Sequence, residues 1–335
     1  MKNTGKLSLL ILLALMNFNS SCNNGTPKDG GDSTKKVVVI TPPDFNADNA
    51  YLWVKSQVDF SPRIPGTAAQ KNCAAWLEKK LRQYCSDVIV QKTDVTIYDG
   101  TKKPCINLTA SFNPKQTKRI LLFTHWDTRP WSDRDEKEPK KQFDGADDGG
   151  SGVAVLLEIA RAIHEKNCNV GIDILLEDVE DFGPPDFEQG KWNEGDSYCL
   201  GTQYWCNDAR SKNYHAYYGI LLDMVGSKNA KFYLDPTAPD ISQHIFEAAQ
   251  TLGYSNYFIM QMAPGGITDD NFYVNKILQI PAADIIALDL GSKYTFAKHW
   301  HTQQDNISLI DKLTLKAVGQ TLLQVIYNEP VDAVN

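Results

Sequence analysis

Three largely apolar runs, one of them carrying Asp173, constrain this chain more than any other feature. "RILLFT" (119–124), "GIDILL" (171–176) and "YYGILL" (217–222) lack the polar alternation of a half-exposed strand. Runs of this length and character fit strands buried on both faces of a parallel sheet. Helical spacing separates them. "GTAAQKNCAAWLEKKLRQYC" (66–85) sets Ala69, Cys73, Trp76, Leu77 and Leu81 on one face, and "SGVAVLLEIARAIHEKN" (151–167) is a second helix. "VIVQKTDVTIYDG" and "INLTASFN" alternate and predict a hairpin; "AKFYLDP" and "IPAADIIALD" are further strands. "ISLIDKLTLKAVGQTLLQVIYNE" closes the chain as an amphipathic helix. Strands alternating with helices predict an α/β fold: a single three-layer domain over residues 37–335, with a mixed, mostly parallel central sheet flanked by helices.

Each apolar run ends in groups foreign to a core. The first meets His125-Trp126-Asp127, the third meets Asp223, and the second meets Glu177, Asp178, Glu180 and Asp181. Four carboxylates within five residues repel one another, the more so away from water. No Lys or Arg follows until Lys191, so a metal ion is a candidate counter-charge. Open parallel sheets gather their chemistry at the carboxyl ends of strands. Asp144, Asp147 and Asp148 precede the helix at Ser151, and "KHWHTQQDN" adds His299 and His301. Imidazole and carboxylate without thiolate suit a catalytic zinc.

Other chemistries lack their signatures. "DGADDG" has Ala146 where an EF-hand needs a ligand. No GxGxxG, GxxxxGK[ST] or GxSxG motif occurs. A net charge of −7 argues against nucleic acid as a partner. "DRDEKEPKK" (133–141) reads as a solvated loop.

The first 21 residues, with Lys2 and Lys6 before an apolar stretch from Leu7 to Met16, read as a secretory signal. "NSSC" makes Cys22 a candidate lipidated first residue, and residues 22–36 read as a flexible tether. The expectation is an exported protein, periplasmic or anchored as a bacterial lipoprotein, touching the membrane only through that anchor. The six later cysteines form no CxxC pair; they read mostly as buried apolar groups, with room for one disulfide.

Taken in order, "THWD", "DGADDGGSGVAVLLEIAR", "LLEDVED", "LGTQYW", "LLDMVG", "ITDDN" and "WHTQQDN" resemble the zinc-dependent aminopeptidase superfamily. Within it, the motifs are most similar to the animal-type glutaminyl cyclases and their bacterial relatives, over roughly residues 40–330. The resemblance implies a zinc-dependent glutaminyl-peptide cyclotransferase, converting an N-terminal Gln to pyroglutamate with release of ammonia. It makes Asp148, Asp181 and His301 ligands of a single zinc and Glu180 the general acid/base, where relatives often carry Glu-Glu. Asp269, hydrogen-bonded to Asp223, would hold the amine or the departing ammonia. Trp300, Phe296 and Trp192 are the expected pocket walls, and Glu177 and Asp178 are left as supporting or solvated groups. Partners would be peptides or proteins beginning with Gln, and the chain a monomer. The alternative within the same fold is a secreted two-zinc aminopeptidase, using His125, Asp127, Asp148 and Asp223 for its second metal.

Overall fold

The computed structural model describes residues 41–188, 190–192 and 196–330, so the expected signal, Cys22 and the tether lie outside it. Six strands form the central sheet. The hairpin β1 (Val88–Thr96) and β2 (Lys102–Phe112) is antiparallel, as is the pairing of β2 with β4 (Gly171–Glu177). From β4 the sheet continues in parallel through β3 (Arg119–His125), β5 (Tyr218–Asp223) and β8 (Ala282–Ile286). The mixed, mostly parallel sheet expected from the sequence is present.

Alternate residues of these strands serve two cores. Ile120, Leu122, Ile220 and Leu222 pack toward α1 (Ala47–Val58), α2 (Ala68–Tyr84), α3 (Gly150–Glu165) and α7 (Lys312–Asn328). Leu121, Phe123 and Leu221 face α4 (Leu200–Ser211), where Trp205, Cys206 and Ala209 receive them. A layer on each face leaves neither side of the parallel strands wet, which explains their largely apolar character. Helix α3 is buried almost throughout; Leu156, Leu157 and Ile159 are fully enclosed, each contributing roughly 1.5–3 kcal/mol by transfer from water. Its approach to the sheet needs Gly152, where a Cβ would lie 2.2 Å from Thr124 Oγ1 and 2.7 Å from the Leu222 carbonyl. That contact holds the aspartate-rich loop ahead of α3 against the carboxyl ends of β3 and β5.

Some elements differ from expectation. Helix α1 was not foreseen in the sequence; Ala50 and Val54 are buried, while much of its surface is polar. The "AKFYLDP" segment supplies β6 (Phe232–Leu234), which pairs in parallel with β7 (Phe258–Met262) as a separate two-stranded sheet. Strand β7 also escaped notice, since Met260 and Met262 are exposed and break the buried pattern. Between β6 and β7 lies α5 (Pro239–Thr251). The disulfide for which the sequence left room is absent among the described residues: Cys73, Cys85, Cys105, Cys168, Cys199 and Cys206 are all buried and free.

Candidate active site

The carboxyl edge of the sheet surrounds a cavity of about 300 Å³. Asp148, Glu180, Asp181, Asp223, Asp269, Phe296, Trp300 and His301 all line it. These residues come from five separate segments. Asp148 arrives from the loop before α3, Glu180 and Asp181 follow β4, and Asp223 ends β5. Asp269 caps the one-turn helix α6 (Asp270–Tyr273), and the loop before α7 carries Phe296, Trp300 and His301.

The turn beyond β4 is unusual. Val179 has φ +57°, a left-handed conformation unfavourable for a β-branched residue. Directly after it, the N–H groups of Glu180 and Asp181 donate to the two oxygens of Asp127, at 3.1 and 3.3 Å. Asp127 thus pins this turn to the end of β3. Met224 (φ +47°), after Asp223, and His301 itself (φ +53°) are also left-handed. Such backbone is costly and collects where side chains must be aimed.

Asp148, Asp181 and His301 converge. Nε2 of His301 lies 3.2 Å from Oδ2 of Asp181 and 3.5 Å from Oδ2 of Asp148. Both of those oxygens are buried without a hydrogen-bond partner. Their companions are committed: Oδ1 of Asp181 accepts from Arg129 at 3.1 Å, and Oδ1 of Asp148 lies 3.1 Å from His125 Nε2. On the other side of the imidazole, Nδ1 lies 3.3 Å from Asp133, which orients the ring and leaves Nε2 facing the cavity. One free oxygen from each aspartate and one imidazole nitrogen therefore point at a common place. Buried orphan acceptors are expensive unless a cation satisfies them, and an O₂N donor set with an open side fits zinc.

A second convergence lies alongside. His125 Nε2 is 3.4 Å from Asp223 Oδ1 as well as 3.1 Å from Asp148, so His125, Asp148 and Asp223 form another candidate ligand trio. Glu180, Cys199 and Asp269 form a third cluster, in which the Cys199 thiol donates to Glu180 Oε1 at 3.2 Å. Burial, reinforced by the adjacent Asp181, pushes the Glu180 carboxyl well above its ordinary value. Asp223 and Asp269 are each pushed up to about 7, by burial first; Asp269 adds to the shift of Asp223, and Asp270 to that of Asp269. The expected direct hydrogen bond between Asp223 and Asp269 is not among the described contacts. Asp269 instead accepts from the Asp270 N–H at 2.6 Å.

One expectation needs correction, one narrows to its buried alternative, and Trp192 stands apart from the described cavity. Trp192 does not line the cavity: its ring packs edge-on against Tyr98, with centroids 5.5 Å apart, and its indole N–H donates to Glu188. Glu177 and Asp178 are not solvated, since both are fully buried; Asp178 accepts from Gln70 Nε2 at 2.6 Å and from the Ile106 N–H at 2.8 Å. Nor is the charged stretch after Ser132 only a solvated loop. Asp133 receives both arms of the buried Arg129 guanidinium, at 2.9 and 2.6 Å, and contacts His301. Burial opposes its ionisation, but His301 and Arg129 outweigh that and hold the carboxyl far below the usual range. Arg129 therefore supports two candidate ligands, Asp181 directly and His301 through Asp133. The signal for this pair was the Arg-to-Asp spacing in "TRPWSD", which composition alone conceals.

This edge matches known proteins. Residues 107–326 match the model of peptidase family M28, about two thirds of the chain. The chain belongs to peptidase family M28. A Zn-dependent exopeptidase from Parabacteroides distasonis is 49% identical, with TM-score 0.84, over 86% of this chain and all of that one. Glutaminyl cyclase from Tannerella forsythia is 45% identical, with TM-score 0.83 and the same coverage. Glutaminyl-peptide cyclotransferase of Drosophila melanogaster is 22% identical over 280 residues, spanning 76% of this chain and 73% of that protein. A further match, to an uncharacterized Escherichia coli protein, spans only 28% of that relative's length.

Proposed function

We propose that this M28 member is a zinc-dependent glutaminyl-peptide cyclotransferase. The observation that carries the reading is the company kept in one cavity: Glu180, Asp223 and Asp269 share it with Asp148, Asp181 and His301. A cyclase needs acidic groups for one amine and a wall for one amide. Likeness to the Tannerella enzyme named a glutaminyl cyclase supports the same choice.

Asp148, Asp181 and His301 are the residues that would hold zinc, one ion per chain. Bound there, zinc supplies Lewis acidity to a carbonyl oxygen. The protein's own groups do the rest. Trp300 stacks on His301, with centroids 4.0 Å apart, and Phe296 packs on Trp300 at 4.4 Å, so the wall against the planar amide is rigid. Asp269 and Asp223, both with raised proton affinities, receive the substrate's α-amine. Glu180 takes a proton as the amine nitrogen bonds to the side-chain amide carbon, Cδ, and returns it to the amide nitrogen, which leaves as ammonia. Folding the Gln side chain into this attack geometry is itself a large part of the rate advantage.

Replacing Glu180 with Gln should lower pyroglutamate formation from a Gln-peptide by roughly 10²- to 10⁴-fold; retained activity would remove Glu180 from the mechanism. The trio His125, Asp148 and Asp223 favours a second reading, a two-zinc aminopeptidase. Elemental analysis and product mass separate the two. One zinc and a product lighter by ammonia support the cyclase; two zincs and a shortened peptide support the aminopeptidase.

We further propose export with lipidation at Cys22, on the strength of the leader sequence. Loss of labelled-lipid incorporation in Cys22→Ser is the expected result.

A further inference from the structure

The catalytic cavity does not end at its aromatic wall. Arg134, Phe296 and Trp300 also line a neighbouring depression of about 710 Å³. Arg134 stands at the junction. Its guanidinium lies over the rings of Tyr294 and Trp300, 4.0 and 5.0 Å from their centroids, and pairs with Asp186. Its backbone N–H donates to the His301 carbonyl at 3.1 Å, tying the residue to the candidate ligand segment. One donor is left over: Nε of Arg134 is buried and has no acceptor.

The depression beyond Arg134 differs in charge from both the cavity and the chain. The cavity is strongly acidic, and the chain carries −7. Lys137, Lys293 and Lys298 line the depression with exposed side chains, and none has a carboxylate partner among the described ion pairs. Its acids are largely occupied. Glu138 pairs with Lys141 at 2.8 Å, and Asp135 accepts the backbone N–H groups of Lys137, Glu138 and Gln303. Glu136 also lines the depression and has no described ion pair.

We infer that the peptide following the N-terminal Gln leaves across Arg134 into this lysine-lined depression, so that substrates with acidic residues at positions two and three are preferred. The inference rests on the cyclotransferase reading and names its substrate class. A substrate bound with its amine at the acidic floor runs its following residues past Arg134, which lines both the cavity and the depression. Carboxylates beyond that point meet ammonium groups held in no described ion pair. Exposed pairs contribute modestly and are screened by salt, so the preference is one of a few-fold per pair rather than absolute.

The test compares pyroglutamate formation from capped Gln-Glu-Glu, Gln-Ala-Ala and Gln-Lys-Lys peptides on the full chain, in low salt and at about 0.5 M salt. The expected kcat/KM ratio of the Glu to the Lys peptide is roughly five- to twentyfold at low salt and near unity at high salt. In the doubly substituted Lys293→Glu, Lys298→Glu protein the ratio should invert; being read within one preparation, it does not depend on how much of that protein folds. Equal rates for all three peptides, or a ratio untouched by the two substitutions, would overturn the inference while leaving the cyclase reading in place. No pyroglutamate from any peptide would remove both.

Discussion

The two ends of strand β4 treat a carboxylate in opposite ways. Asp173 and Glu177 are four residues apart and, by the period of a strand, point to the same face. Asp173 is fully satisfied: Arg119 grips it with two bonds of 2.6 and 2.8 Å, Ser111 donates at 2.6 Å, and Tyr214 donates at 2.9 Å. Neither oxygen of Glu177 has a hydrogen-bond partner, although the residue is completely buried. Its neighbour Thr202 has its hydroxyl committed to Asp270 at 2.6 Å. A similar contrast recurs elsewhere, although Asp127 and Asp178 at the carboxyl edge are hydrogen-bonded. At the amino edge Glu329 joins Lys118 at 2.7 Å and the Tyr218 hydroxyl at 2.6 Å, whereas at the carboxyl edge Asp148, Asp181 and Asp223 keep orphan oxygens. This fold can satisfy a buried carboxylate completely where nothing else is asked of it. Unsatisfied ones at the other edge are therefore best understood as groups kept for a cation, a substrate or a proton.

That contrast breaks if substitutions at the two edges behave alike. Asp148→Asn should cost about a thousandfold in kcat/KM, roughly 4 kcal/mol of barrier, and weaken zinc retention against a chelator. The metal-free melting temperature should move only a few degrees. Asp173→Asn should do the reverse, destabilising the protein by about 3 kcal/mol because a largely buried guanidinium loses its charge partner, with kcat per folded molecule nearly unchanged. Denaturant titration and active-site-normalised kinetics measure both.

Next in size is an acid-sensitive contribution at the amino edge. Burial alone would raise the Glu329 carboxyl, but His244, Lys118 and Tyr218 together hold it down to about 2. A depressed carboxyl stabilises the fold above its unfolded value, near 4.3, and that stability disappears as pH falls through its folded value. Glu329→Gln should therefore be less stable than the parent by on the order of 2 kcal/mol at neutral pH, with the gap closing between about pH 4.5 and 2. A gap independent of pH would show that the charge is not what matters there.

The smallest effect is expected at Glu177. Burial, then the charge of Asp270, raises this carboxyl well above its ordinary value, so the native state keeps a proton that the unfolded state releases. Such a group makes the fold less stable as pH climbs above the unfolded value. Glu177→Gln should accordingly stabilise by about 1 kcal/mol at pH 8 and be nearly neutral near pH 4. Destabilisation at pH 8 would mean that the ionised carboxylate has a partner after all.

The sequence exposed much of this edge and little of its support. Asp148, Glu180, Asp181, Asp223 and His301 could be found because each follows an apolar run or sits in an ordered motif, and the topology of a parallel sheet brings those positions together. Arg129 and Asp133 were hidden for the opposite reason. They stand among Arg134, Asp135, Glu136 and Lys137, and periodicity cannot distinguish a buried ion pair from solvated neighbours. Trp192 packs on Tyr98 rather than lining the described cavity, since an aromatic near a site in sequence need not face it. Among the elements, β3, β4 and β5 were legible from continuous burial. Strand β7 was not, with Met260 and Met262 facing outward on a small separate sheet.

One backbone detail bears on how a protein of this kind should be altered. Glycine is the residue most at ease with a φ of +57°, so a stability-guided redesign would choose Val179→Gly early. Yet Val179 is also fully enclosed beside Ile64, Val95, Ile97, Cys105 and Phe182. Its bulk anchors the bend from which Glu180 and Asp181 project. Removing it would relax the chain at the point where tension keeps two side chains on target, and a more comfortable backbone would come with a blurred aim. Residues of this sort are invisible to any ranking by local energy, and they belong on the list of positions to leave alone.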